Sequence, residues 1–90
     1  MLTKDITIRN ESGFHIRPAQ LFTEKAAQFR SNVTVTVKEP RSDADGKSIL
    51  GLMTLGLSKG SEIAVSVDGP DEKEAFEALV ELVESGFGEA

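Results

Sequence analysis

One histidine, His15, stands in the run Gly13-Phe14-His15-Ile16-Arg17-Pro18-Ala19 of a 90-residue chain. An unprotonated imidazole nitrogen is a nucleophile, and this neighbourhood suits it to receive a phosphoryl group. Pro18 has no N–H and is tolerated in a helix only in the first turn, so it marks a helix entry beside His15. Unpaired N–H groups and the positive end of the dipole favour an anion there. Arg17 adds a permanent cation whose forked donors match phosphate oxygens. Both features should disfavour the imidazolium and keep a neutral ring available at cytoplasmic pH. A helix N-terminus contributes only about 0.3–2 kcal/mol to a nearby anion, which suits a carrier better than a terminal acceptor. The plainer alternative is a polar surface or capping histidine. Gly13, Arg17 and Pro18 together weigh against that alternative without removing it.

A second constellation begins at Ser48, an N-cap residue type followed by Ile49, Leu50, Leu52 and Met53, with Gly56 as the stop of a short helix. Four apolar side chains cannot all face one core from so short a helix. Some of them should join Phe14 and Ile16 in an exposed patch beside His15, a face for docking partners. The alternative buries the whole set and leaves Gly51 to ease helix packing. The carboxylates of Asp5, Glu11, Asp43 and Asp45 match no ligand spacing, so neither a metal nor a cofactor is expected. Ser12 reads as a turn hydrogen-bonder, and Glu72, Glu74, Glu77, Glu81 and Glu84 as the solvated face of a final helix.

The elements that must carry these residues follow from periodicity. Leu2, Ile6 and Ile8 alternate with polar residues over positions 2–9, a half-buried strand whose apolar face only Lys4 interrupts. From Pro18 the spacing changes to Ala19, Phe22, Ala26 and Phe29, one helix face. Val33, Val35 and Val37 form a second strand, and a short third strand is weakly signalled between Arg41 and Gly46. After the Ser48 helix, Ile63, Val65 and Val67 alternate again. Gly69-Pro70-Asp71-Glu72 then starts a last helix with proline in its first turn, a buried stripe of Phe76, Leu79, Val80 and Val83, and a stop at Gly86. A Gly-containing tail after Ser85 should fray. The order β-α-β-β-α-β-α, with polar outer strand faces, predicts an α+β open-faced sandwich, a sheet covered by helices on one side.

Residues 1–90 form one domain on length. A formal charge of −5 and the absence of a basic cluster argue against nucleic-acid binding. No apolar run is long enough to cross a bilayer, there is no cysteine, and the start of the chain lacks the apolar core of a signal peptide. Cytoplasmic residence is therefore expected.

The segments 13–19 and Gly46-Lys-Ser-Ile-Leu-Gly-Leu-Met53 resemble the two signature segments of the HPr family, the histidine-containing phosphocarrier proteins of the phosphoenolpyruvate-dependent sugar phosphotransferase system. The resemblance covers nearly the whole chain. It implies a four-stranded antiparallel sheet with three helices on one face. It also implies that His15 accepts a phosphoryl group on Nδ1 from enzyme I and donates it to IIA domains of sugar permeases, with Arg17 contacting the group. In many members the serine matching Ser48 is a regulatory phosphorylation site, which would add HPr kinase/phosphorylase to the partners. The chain departs from the commonest pattern in Phe14 and Ile16, and in a segment between Val37 and Ser48 about two residues longer than usual. These departures bear on partner preference. Two other readings compete: a regulatory phosphocarrier of the nitrogen-related branch, and a passive protein- or RNA-binding module in which His15 does no chemistry.

Overall fold

In the computed structural model, which describes residues 1–9, 16–37 and 41–88, the elements follow the expected order. Strand β1 (Leu2–Thr7) leads to helix α1 (Ile16–Ala27), strands β2 (Asn32–Val37) and β3 (Ser42–Asp45), helix α2 (Ile49–Thr54), strand β4 (Glu62–Asp68), helix α3 (Glu72–Glu84) and a closing 3-10 turn, Gly86–Gly88. The sheet is antiparallel throughout, in the order β1-β4-β2-β3. The last strand in sequence is thus central, pairing Leu2 with Val67 on one side and Val33 with the same Val67 on the other.

Alternation accounts for the layers. Ile6, Val33, Val35, Ile63, Val65 and Val67 point into the core, where Ala19, Phe22 and Ala26 of α1, Leu52 of α2 and Leu79, Val80 and Val83 of α3 meet them. The other face carries Thr3, Asp5 and Thr7 of β1, Thr34 and Thr36 of β2, and Ser66 of β4, exposed or half-buried with no helix over them. This is the open-faced α+β sandwich, with all three helices on one side.

Several boundaries differ from expectation, each for a local reason. The first strand ends at Thr7, although Ile8 stays buried and continues the ladder through its N–H to Ser61 O at 2.8 Å. Lys4, the interruption in the apolar face, lies on an edge strand and reaches Glu84 of α3 at 3.0 Å, so its head stays wet while its stem covers apolar surface. Pro70 is not in the first turn of α3. The helix begins at Glu72 after Asp71, whose carboxylate is spent elsewhere. Ala75 takes the fully buried position beside Leu79, leaving Phe76 half-buried at the edge. Glu72 and Glu84 are not merely solvated: Glu72 accepts from Gly69 N–H at 3.2 Å, and Glu84 pairs with Lys4. Of the tail expected to fray, Gly86–Gly88 instead form a 3-10 turn, while residues 89–90 lie outside the described residues. Gly86 takes φ 70° just past the helix end, and Phe87 follows at φ 59°, only 5% exposed in the core. Burial of an aromatic ring outweighs the roughly 1–2 kcal/mol of left-handed strain at a non-glycine residue.

Candidate functional site

Helix α1 runs over Ile16–Ala27, so Pro18 occupies its first turn, as the proline signal suggested, and costs the helix no internal hydrogen bond. Pro18, Ala19 and Phe22 are buried, which fixes this end of the helix against the core, while Ile16 and Arg17 point to solvent. His15 and Phe14, and the turn residues from Asn10 to Gly13, lie outside the described residues. Arg17 is the first cation after His15 in the chain and stands exposed in the first turn of α1.

Helix α2 is built from its cap. Ser48 has extended backbone angles, and its Oγ accepts from Gly51 N–H at 3.0 Å, a contribution of about 1 kcal/mol for a serine in this role. Gly51 thus supplies the capped donor, a part that sequence reasoning had not given it. Gly56 follows the helix at φ 65°. The six helical residues divide sharply. Leu52 is 0% exposed and lies in the core, so it differs from the docking expectation, because it is the one residue of α2 that is buried among the core side chains. Leu50 is 77% exposed, Ile49 and Met53 39% each, and Ile16 on α1 66%. Four large apolar side chains therefore stand in water on two adjacent helices.

What seats α2 was missed in the sequence. Gly46 N–H donates to Val33 O at 2.7 Å, and a Cβ on Gly46 would lie 2.4 Å from Val33 Cγ1 and 3.0 Å from Phe22 Cε1. Only a glycine lets the chain pass this close to the sheet and to α1. Lys47 N–H donates to Asp45 Oδ1 at 2.9 Å, and Lys47 Nζ reaches Phe29 O, also at 2.9 Å. The Gly-Lys pair stood in the signature segment, but nothing in its spacing announced a partner eighteen residues upstream.

The electrostatics of the described residues are simple. Asp71 is held below the usual carboxylate range by the Ser31 hydroxyl first and then by the backbone N–H groups of Arg30 and Ser31. Glu72 is lowered by the Gly69 N–H and next by the Met1 amine. Among the described residues no group of three or more His, Cys, Asp or Glu is placed to hold a metal ion, and no helix is long and apolar enough to cross a membrane.

A family model, PTS-HPr, described as the phosphorylation site of the HPr component of the phosphotransferase system, matches residues 2–85. The phosphocarrier protein HPr of Neisseria meningitidis is 46% identical over 89 residues, covering 99% of this chain and 98% of that protein. The crystal structure of HPr-C-His from Thermoanaerobacter tengcongensis superposes with a TM-score of 0.93 at 43% identity, covering 100% of this chain and 99% of the other. Crh, a catabolite repression protein of Bacillus subtilis whose crystal structure shows a swapping domain and a dimer, matches at a TM-score of 0.75 and 35% identity over 96% of this chain and 97% of that one.

Proposed function

Since the chain belongs to the HPr family, the phosphocarrier proteins of the phosphotransferase system, we propose that it relays a phosphoryl group from enzyme I to IIA domains through Nδ1 of His15. The family membership and the 13–19 segment carry this reading. The bond between phosphorus and enzyme I breaks as the bond to the neutral imidazole nitrogen forms, and the reverse exchange delivers the group to a IIA domain. Such a protein is a carrier in a relay and not a catalyst of its own reaction. Arg17, exposed in the first turn of α1, is the cation nearest in sequence to the transferred group. Ile16, Ile49, Leu50 and Met53, with Phe14, form the docking face for both partners, in the cytoplasm.

Ser48 is the regulatory position in this reading. A phosphate on its Oγ places a dianion at the edge of the docking face, and the cost of desolvating that charge against apolar side chains weakens association without remodelling the fold. HPr kinase/phosphorylase would be the enzyme that adds it. A second reading is a regulatory phosphocarrier of the nitrogen-related branch, which comparison of transfer rates to sugar-specific and to nitrogen-branch IIA domains separates. A passive protein- or RNA-binding role predicts binding that survives His15→Ala, and for RNA a steep loss of affinity with salt.

Enzyme I and phosphoenolpyruvate should convert the protein to a species one phosphoryl group heavier by intact mass, acid-labile and base-stable. His15→Ala should abolish it. A wild-type protein that stays unmodified overturns the proposal.

A further inference from the structure

The backbone around α2 raises a question of placement. A helix of six residues does not hold its own geometry, since nucleation costs more than so few hydrogen bonds return, so its position is set by what ties it down. One tie is Leu52 in the core, and the second is Gly46 on Val33. The third is Lys47, whose ammonium donates to the carbonyl of Phe29, just past the end of α1. The same peptide group is held from its other side, because Arg30 N–H donates to Asp71 Oδ2 at 2.9 Å. The Phe29–Arg30 peptide therefore lies between a cation on its oxygen and an anion on its nitrogen. Each contact polarises the peptide in the direction that strengthens the other. Through this one group the entry of α2 is joined to the start of α3.

We infer that Lys47 is a positioning residue for phosphoryl transfer: its bond to Phe29 O fixes α2 against α1 and so sets where Ile49, Leu50 and Met53 stand relative to Ile16. The inference rests on the phosphocarrier reading. It assigns Lys47 no contact with the phosphoryl group. The start of α1 is anchored independently by Pro18, Ala19 and Phe22, so chemistry at the residue before it does not depend on Lys47. Loss of the ammonium should misplace the docking face and raise KM, leaving kcat as it was.

The test compares wild type with Lys47→Met, which keeps the stem and removes the donor, and Lys47→Arg, which keeps a cationic donor. The assay is phosphoryl acceptance from phosphorylated enzyme I at low and high salt. Lys47→Met should raise KM by about 2- to 10-fold, the span that one net hydrogen bond covers, at both salt concentrations and with kcat unchanged. Lys47→Arg should restore KM. In 1H-15N spectra of Lys47→Met the Arg30 amide, which belongs to the same peptide as the Phe29 carbonyl, should move together with Ile49 and Leu50. A KM equal to wild type overturns the inference, as does an Arg30 amide that stays in place. A defect that vanishes at high salt also overturns it, because that result makes Lys47 a direct charge contact with the partner. If wild type itself accepts no phosphoryl group, the phosphocarrier reading fails, and the Arg30, Ile49 and Leu50 amides alone decide whether Lys47 positions α2.

Discussion

Asp71 stands at the position from which a side chain would cap α3, yet its carboxylate makes no bond to that helix and accepts instead from Arg30 N–H, Ser31 N–H and the Ser31 hydroxyl. These donors stabilise the ionised form, so the folded pKa lies below the unfolded one. The linked stability is therefore present above the unfolded value, about pH 4, and is lost as pH falls through the folded value. Asp71→Asn should lower the denaturation midpoint at neutral pH and flatten the decline in acid, leaving the dependence due to Glu72 and its Gly69 donor. Urea titrations at about pH 7 and pH 3 measure both effects. Parallel losses in wild type and variant would show that this carboxylate is not the acid-sensitive staple. No part of this was legible in the sequence, because Asp71 beside a proline and before a glutamate reads as an ordinary helix start. Its partners lie forty residues upstream.

At the scale of elements, legibility followed the strength of the apolar alternation. The valine strand, β4 and the amphipathic helices were readable because each pays a full face into the core. The third strand was weak because only Ala44 of Ser42–Asp45 is even half-buried, while Asp43 and Asp45 sit at the sheet edge, where charge discourages pairing with another chain. Pairing was not legible at all, since periodicity places residues on faces and says nothing of neighbours. Within the site, the cap at Ser48 was readable and the burial of Leu52 was not, because four apolar residues on one and a half turns leave the inward one undetermined. The seating of α2 on Gly46 yields a prediction at this scale. Gly46→Ala pushes a methyl into Val33 and Phe22 and should cost about 1–3 kcal/mol by overpacking. A thermal midpoint equal to wild type would mean that the α2 entry relaxes freely.

Across the whole molecule, the core and the proposed docking face meet within α2, and the two can be separated by mutation. Leu52→Ala should cost about 2–5 kcal/mol of stability through the cavity it leaves. Leu50→Ala, at a side chain mostly in water, should change stability by less than about 0.5 kcal/mol. It should nonetheless raise KM with enzyme I. Denaturation and transfer kinetics on the two variants give the comparison, and a Leu50→Ala protein with unchanged KM removes this residue from the docking face.

The central place of β4 has a consequence for how the chain comes into being. Strands β1 and β2 have no bonds to each other, and the strand that joins them ends at Asp68, so during synthesis three-quarters of the chain must emerge before its first strand has a neighbour. Pairings such as Leu2 with Val67 close long loops, the arrangement that slows folding. Nascent chains stalled before Glu62 should therefore remain open to protease along β1, and release of a further ten residues beyond the ribosome exit should protect them. Protection already present in the shorter chains would mean that β1 finds cover without the sheet.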